Sequence, residues 1–335
     1  MKKKFIAKRR RKRKIYKIKY TLYCLLFLIF FVVSIVSCQK IQFSMSNEEF
    51  LRNIIYQSNH HIPYQYDKKS IMTKVMKFFS NVNLDNPATI LNQTYTGLTE
   101  GSQDLDSQEN LDELEETSEY IEDPYPNNEI SKPRVYIYNT HQLENYAASN
   151  LAEYNVNPNV MMGSYILREK LNNLGIPSMV EEENVTELLR INNWNYAQSY
   201  QVTKMLMQDA KEKNPSLEYF IDFHRDSVKR DITFKTIGDK NYARILFIVG
   251  MENPNYQANL ALTTELNNRL EEKYPGLSRG IYKKEGPGVD GVYNQDVSPN
   301  VILVEMGGVD NTIEEVLNST EVFAEIFYDY LGDQS

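Results

Sequence analysis

The chain has 335 residues, of which 41% are hydrophobic and 24% charged, and its formal net charge at pH 7 is -8. Residues 1–20 contain twelve Lys or Arg and no acid, so the rest of the chain is strongly acidic. Such a chain would repel phosphate along most of its length, which excludes a general nucleic-acid-binding protein. The length is sufficient for one or two domains with a sizeable core.

An uncharged, mostly apolar run at residues 21–38 follows the basic segment at 1–20. In a helix, at about 1.5 Å per residue, this run approaches the thickness of a membrane's hydrocarbon core. Because basic flanks stay in the cytoplasm, we predict a single-pass transmembrane anchor in the cell membrane, with the remaining chain extracytoplasmic. A lipoprotein lipidated at Cys38 is the alternative, because Ile35-Val36-Ser37-Cys38 resembles a bacterial lipobox. A cleaved signal peptide is disfavoured, because no small-residue cleavage site follows Cys38.

Both cysteines, Cys24 and Cys38, lie in the predicted anchor. The exported part therefore depends on no disulfide and contains no cysteine nucleophile or thiolate metal ligand. Residues 39–82 are predicted to form a juxtamembrane stalk or a small helical element, with two short helix-like stretches that break around Pro63. Residues 83–132 are predicted to be an acidic, disordered linker, because residues 100–131 hold twelve acids and no Lys or Arg.

Regular hydrophobic periodicity begins after Pro133 and defines a predicted catalytic domain at 133–335. Strands are predicted at 134–140, 179–180, 217–223, 244–250 and 301–306, and helices at 160–174, 197–213, 256–273 and 311–331. A capping box from Asn311 to Glu314 is expected to begin the last helix. Strands that alternate with long helices predict an α/β fold, with a mostly parallel sheet flanked by helices and a site at the carboxyl ends of the strands.

Two of the four histidines, His141 and His224, come directly after predicted strands. Glu144 follows His141 by three residues, a spacing that lets both side chains reach one ion. Asp222 shares a strand face with His224 and is placed to hold its imidazole. Two His and one carboxylate are the ligands of many catalytic zinc sites, so we predict Zn²⁺ at His141, Glu144 and His224. Taken one at a time, each of these residues is equally explained as an ordinary core or surface group.

A zinc hydrolase also needs a base that takes a proton from the attacking water. Glu305 is the predicted base, because it ends the last predicted strand. Gly307 and Gly308 follow it, and their small size is expected to let a substrate approach.

Three further residues are predicted near the site. Arg225 and Asp226 are predicted to orient the substrate or steady the loop after His224, and ordinary ion pairing is the equal alternative. Gln295, within the segment 293–296 before the last strand, either lines the substrate groove or belongs to a structured turn.

Five segments of the domain resemble those of one protein family. They are YNTHQLENY (138–146), FIDFHRDSV (220–228), ARILFIVG (243–250), NPNYQANLALTTELNNRLEEKYPGLSRGIY (253–282) and GVYNQDVSPNVILVEMGG (291–308). Through these segments, residues 134–332 resemble stage II sporulation protein P of endospore-forming Firmicutes. That family also places an amino-terminal anchor before an extracytoplasmic catalytic domain.

The resemblance implies a zinc-dependent peptidoglycan hydrolase related to N-acetylmuramoyl-L-alanine amidases, with endopeptidase activity as well. It implies a role in engulfment of the forespore, together with proteins D and M of the same sporulation stage. Among the residues, it implies that His141 and His224 bind the metal and that Glu305 is the catalytic carboxylate. The third ligand implied is a glutamate, for which Glu144 has the best spacing and Glu153 and Glu169 are the alternatives.

Two other functions fit the same residues. A zinc carboxypeptidase acting on stem peptides uses the same His-x-x-Glu spacing, whereas a wall-binding scaffold has no need of His141, His224 and Glu305 together. The metal itself is also open, because imidazole and carboxylate ligands suit other divalent ions.

Overall fold

The computed structural model describes Lys19, Tyr23 and residues 45–58, 117–127 and 130–334. Within these ranges, no helix combines the length and the apolar character needed to cross a membrane. The predicted basic segment and anchor lie outside the described residues apart from Lys19 and Tyr23, as do most of the predicted stalk and linker. The chain divides into two compact units, Met1–Ser44 and Met45–Ser335, and the α/β fold belongs to the second.

Eight strands form two sheets in the described part of the chain. They are β1 (Val135–Tyr138), β2 (Ser178–Val180), β3 (Tyr219–Asp226), β4 (Phe234–Ile237), β5 (Lys240–Ala243), β6 (Ile245–Gly250), β7 (Ser278–Lys284) and β8 (Val301–Gly308). The six-stranded sheet has the order β2-β1-β3-β8-β6-β7, and β4 and β5 form a separate hairpin. Every neighbouring pair of the larger sheet is parallel except β8 and β6. The predicted α/β fold with a mostly parallel sheet is confirmed.

Helices cover both faces of the larger sheet. They are α1 (Asn47–Ser58), α2 (Val160–Asn173), α3 (Val185–Ile191), α4 (Ser199–Lys213), the single turn α5 (Arg230–Thr233), α6 (Tyr256–Lys273) and α7 (Ile313–Gly332). The main core lies where α1, α2, α6 and α7 pack on one face. On the opposite face, α4 packs its Met207 and Ala210 against β1 and β3. The long helices therefore lie close to their predicted positions, whereas α3, β4, β5 and β7 were not predicted.

The capping box of α7 lies one residue later than predicted. Thr312 accepts a hydrogen bond from the Glu315 N–H, and the Glu315 carboxylate accepts one from the Thr312 N–H. Asn311 instead accepts a hydrogen bond from the Gly308 N–H at 2.8 Å and donates to the carbonyl of Thr233. Its amide thus closes the turn between β8 and α7.

The strands that carry the site are longer than predicted. β3 continues through His224 to Asp226, and β8 continues through Glu305 to Gly308, so both site residues lie inside strands. Gly307 has φ of +80°, and a side chain at Gly308 would collide with the carbonyl oxygen of Val228. These glycines therefore allow close packing of the chain on itself, and that they also let a substrate approach stays a prediction.

Part of the predicted stalk belongs to the core of the domain. Leu51 and Ile55 of α1 are fully buried, and α1 packs on α2. Asn47, at the start of α1, donates to the Glu119 carboxylate at 2.8 Å and accepts from the Asn157 N–H at 2.8 Å. α1 is therefore an integral helix of the folded unit.

Residues 117–127 also pack against α2. Ile121 is fully buried, and Asp123 forms an ion pair with Arg168, whose guanidinium is almost completely inaccessible and also contacts Glu169 at 3.1 Å. The expectation of a solvated, disordered linker is wrong for 117–127. Its acidic composition is compatible with packing because Arg168, inside α2, supplies a buried positive charge.

Candidate metal centre

Neighbouring strands place the predicted site residues on one face of the sheet. His224 on β3 lies opposite Glu305 on β8 in the parallel register, so their side chains point to the same side. Asp222 is two residues before His224 and shares this face. His141 follows β1, which flanks β3 on its other side.

His141, Glu144 and His224 form a cluster suited to a metal ion. One donor atom from each lies within 4.8 Å of the others, and no second such group occurs in the described part of the chain. Nδ1 of His141 is 3.4 Å from Oε1 of Glu144, and Nδ1 of His224 is 3.5 Å from Oε2 of Glu144. The two imidazole rings meet edge to face with centroids 5.1 Å apart. The structure therefore brings together the three residues predicted as ligands.

Hydrogen bonds orient the turn that carries His141 and Glu144. Asn139, at the end of β1, donates to the carbonyl of Phe223 on β3 and accepts from the Ser164 hydroxyl at 2.9 Å. The carboxylate of Glu144 accepts a hydrogen bond from the Arg225 N–H at 2.9 Å. Glu144 is thus fixed against the strand that carries His224.

Asp222 lies behind His224 and is fully buried. It accepts hydrogen bonds from the Thr140 N–H at 3.0 Å and the Thr140 hydroxyl at 2.7 Å. Nε2 of His224 lies 2.8 Å from Oδ1 of Asp222, although its N–H is not aligned for a hydrogen bond. Asp222 therefore lies beside the imidazole, and its role in holding the ring stays a prediction.

The charges of the cluster complement one another without a metal. Burial by itself raises the pKa of Glu144, but the His224 charge and hydrogen bonds from both histidines outweigh it and hold that pKa well below its usual range. Burial lowers the pKa of His224, but the facing carboxylates of Asp222 and Glu144 outweigh it and raise that pKa well above its usual value. These shifts favour an ionised Glu144 carboxylate and a protonated His224 imidazole.

Glu305 differs from the cluster in its environment. Burial raises its pKa to about 8; the His224 charge opposes this rise and the Glu144 charge adds to it. Its Oε2 atom is buried and has no hydrogen-bond partner among the described residues. An unpartnered carboxylate oxygen beside the ligands is placed to accept and return a proton.

Aromatic side chains border the cluster, and sequence reasoning missed them. The His141 ring stacks on Tyr196 with centroids 4.7 Å apart and meets the edge of Tyr200 at 5.5 Å. Tyr200 in turn contacts the Tyr293 ring edge to face at 5.4 Å. The sequence offered no signal for them, because Tyr196 and Tyr200 are two of 24 tyrosines.

The alternative third ligands lie elsewhere. Glu153 is exposed in a 3₁₀ turn at Ser149–Tyr154, and the Glu169 carboxylate contacts the Arg168 guanidinium. Neither belongs to the cluster, so the geometry favours Glu144.

Arg225, Asp226 and Gln295 make contacts within the protein. The Arg225 guanidinium donates to the carbonyl of Asn145 at 2.9 Å, and Asp226 forms an ion pair with Arg279 at 2.7 Å. The Asp226 contact matches the ion-pairing alternative, whereas the Arg225 guanidinium is held by a backbone carbonyl.

Gln295 is fully buried. It accepts from the Gly250 N–H at 2.9 Å and donates to the carbonyl of Ile248 at 2.8 Å. It therefore fastens the turn before β8 to the end of β6, which agrees with the structured-turn alternative and leaves no face for a substrate.

Asp222→Asn is expected to weaken Zn²⁺ binding about 10- to 100-fold, the usual effect of removing a carboxylate that supports a metal-bound histidine. The substitution removes the negative charge beside His224 and brings an amide NH₂ towards the N–H of Thr140. Competition with a chelating dye measures the affinity. Asp209→Asn, at an exposed position of α4, is the matched control and should bind Zn²⁺ like the parent protein. Equal affinities for the two variants would contradict the role of Asp222.

Residues 51–328 match the family described as Stage II sporulation protein P (SpoIIP). The chain belongs to this family. It is 36% identical over 217 residues to Stage II sporulation protein P of Bacillus subtilis (strain 168), and the alignment covers 63% of this chain and 54% of that relative. The chain thus aligns with about half the length of this SpoIIP relative. The family match includes every residue of the cluster and reaches back into α1.

Two solved structures show weaker similarity to this SpoIIP chain. Cwp6 from Clostridium difficile aligns with a TM-score of 0.35 and 12% identity, covering 59% of this chain and 29% of its own. The CwlD amidase from Clostridioides difficile, solved in complex with the GerS lipoprotein, aligns with a TM-score of 0.39 and 15% identity, covering 59% of this chain and 98% of its own. Both scores are below the level at which a shared fold is established.

Proposed function

We propose that the protein is a membrane-anchored, zinc-dependent peptidoglycan hydrolase of sporulating cells. It cleaves the amide between the lactyl group of N-acetylmuramic acid and L-alanine, and it also cleaves peptide cross-links. The observation that carries the proposal is the cluster of His141, Glu144 and His224 with Glu305 in register beside it. Membership of the sporulation family supports the setting.

The residues of the cluster fit a zinc ion by their chemistry. Two imidazole nitrogens and one carboxylate within 4.8 Å match the protein ligands of catalytic zinc sites, which keep a further position for water or substrate. When bound, Zn²⁺ polarises the scissile carbonyl and lowers the pKa of water. Asp222 and the Arg225 N–H hold His224 and Glu144 in position.

Glu305 moves the proton in the proposed reaction. A positive charge at the neighbouring ligands favours the ionised form of its carboxyl, so Glu305 is a base in the loaded protein. It takes a proton from the water whose oxygen bonds to the carbonyl carbon. It then gives that proton to the alanine nitrogen as the C–N bond breaks, which leaves a lactyl carboxylate and a free amine.

The charge distribution supports the proposed location. We propose that residues 21–38 span the cell membrane and that the catalytic domain works on its outer side, because the basic segment precedes the apolar run. Family membership supports a role in engulfment of the forespore with proteins D and M of the same sporulation stage.

The proposal is tested with the full-length protein in detergent, loaded with Zn²⁺ and incubated with purified peptidoglycan. Mass spectrometry should find free lactyl groups on the glycan and stem peptides with a free amino-terminal alanine. A chelator should reduce product formation to background, and added Zn²⁺ should restore it. Removal of carboxyl-terminal stem residues alone would identify a carboxypeptidase, and wall binding without cleavage would identify a scaffold.

A further inference from the structure

The sheet continues past Glu305 on the face that carries the site. Leu246 on β6 lies opposite Glu305 on β8, and on its other side it lies opposite Gly280 on β7. Since neighbouring strands are about 4.8 Å apart, Gly280 lies roughly 10 Å from Glu305 across the sheet. β7 is the edge strand of the sheet.

Gly280 leaves this part of the sheet uncovered. No atom of the described residues lies within 4 Å of the position that a Cβ would take there. Its φ of +94° is a conformation that favours glycine, so a side chain at this position is disfavoured by the backbone as well. Leu246, between Glu305 and Gly280, is buried among Ile248, Leu303 and Tyr293, whereas the surface at Gly280 itself carries no side chain.

An exposed aromatic ring stands at the end of this surface. Tyr282 follows Gly280 by two residues on β7, projects from the same face and is 57% exposed. The Lys284 ammonium lies 5.8 Å from the centroid of the Tyr282 ring and 5.7 Å from that of Tyr293. Tyr293 contacts Tyr200, which borders the metal cluster. Aromatic rings thus connect the cluster to the Lys284 ammonium and to Tyr282.

We propose that residues 280–284 form a glycan subsite, in which a pyranose ring of the peptidoglycan strand stacks on Tyr282 and a carboxylate of the same polymer meets Lys284. This inference rests on the proposed function. A pyranose presents a flat face of C–H groups, and these are attracted to the negative face of an aromatic ring. Its hydroxyl groups point sideways into water, so a ring at an open sheet edge suits it.

The neighbours of Tyr282 favour a glycan over a protein partner. A protein interface needs a broad, largely apolar patch with complementary packing. Tyr282 is instead followed by Lys283, Lys284 and Glu285, so the apolar surface is limited to about one ring. The Lys284 ammonium, beside the Tyr282 ring, complements the carboxylates of stem peptides.

The test measures binding of full-length protein in detergent to insoluble peptidoglycan, in a Glu305→Gln background so that the wall is not consumed. Tyr282→Ala should weaken binding about ten-fold, which corresponds to about 1.4 kcal/mol. Tyr282→Phe should stay within about two-fold of the parent because it keeps the ring. Tyr328→Ala removes a tyrosine that is 45% exposed on α7 and should bind like the parent.

The Lys284→Gln variant distinguishes the contribution of the lysine charge to binding from that of the Tyr282 ring. It should weaken binding to peptidoglycan and leave binding to a neutral N-acetylglucosamine oligosaccharide unchanged. Tyr282→Ala should weaken binding to both ligands, because the stacked ring is common to them.

The subsite would be overturned if Tyr282→Ala bound the wall as well as the parent, or if Tyr328→Ala lost binding to the same extent. It would also be overturned if Tyr282→Ala abolished self-association of the protein and left its binding to the wall unchanged. Cleavage assays with the protein that keeps Glu305 distinguish failure of this subsite from failure of the proposed function. If the protein that keeps Glu305 and its Tyr282→Ala variant bind the wall with equal affinity and cleave it equally, the subsite alone is contradicted. If the protein that keeps Glu305 binds the wall through Tyr282 but does not cleave it, the proposed hydrolase activity is contradicted and the subsite is retained.

Discussion

Glu305→Gln is expected to reduce peptidoglycan hydrolysis about 10²- to 10⁴-fold, the range associated with loss of a general acid–base group. Glutamine has the same shape, but it cannot take a proton from water and pass it to the leaving nitrogen. Oε2 of Glu305 has no hydrogen-bond partner among the described residues, so no such bond is lost at that atom. Zinc content and folding should therefore remain as in the parent, as measured by metal analysis and thermal unfolding.

Two further substitutions distinguish loss of the proton-transfer group from loss of the metal ligands. His224→Ala should lose both Zn²⁺ and hydrolysis, because it removes a member of the cluster. Glu153→Gln, at an exposed carboxylate outside the cluster, should keep both. A Glu305→Gln protein that retains more than about a hundredth of the activity would contradict the assignment, since general acid–base residues contribute at least about 10²-fold. Loss of zinc by that variant would make Glu305 a ligand instead.

Asp123→Ala is expected to lower the free energy of unfolding by about 3 kcal/mol, because it leaves the buried Arg168 guanidinium with one carboxylate fewer. Glu169 still contacts Arg168, which keeps the loss near the lower end of the range for broken buried pairs. Denaturant unfolding can be followed by the fluorescence of Trp194, the single tryptophan, which packs beside the Val185–Leu189 cluster.

Glu122→Ala is the matched control for Asp123→Ala, because Glu122 is the preceding residue and is exposed. Substitutions of this kind usually change stability by less than about 0.5 kcal/mol. Equal stabilities for the two variants would mean that residues 117–127 contribute nothing to the fold, as the acidic composition alone suggested.

The sheet and its long helices were predictable because their hydrophobic periodicity is strong. The ends of the central strands were not, since β3 continues for three polar residues beyond Phe223, its last apolar residue. Those residues are held by pairing with β8, which is distant in sequence. β7 was not predicted because it is an edge strand with exposed residues. Tyr282 and the lysines next to it therefore do not show the alternation of apolar and polar residues that marks a half-buried strand.

The cluster was predictable because its residue types are rare and its spacing is local. The chain has four histidines, and His141 and Glu144 are three residues apart. Tyr196 had no such distinction among 24 tyrosines. The buried ion pair of Asp123 and Arg168 joins residues 45 positions apart in the sequence. The composition of residues 100–131 shows the acid but not its distant basic partner.

The hydrogen bonds around the cluster bear on when the metal is acquired. Thr140 holds Asp222 behind His224, and the Arg225 N–H holds Glu144, and neither bond involves an ion. The ligands therefore take their places as the strands pair, unlike those of small zinc domains that remain unfolded without metal. Under the proposed function, we expect the exported domain to fold before it binds Zn²⁺, so that the zinc supply on that side of the membrane sets how many molecules become active.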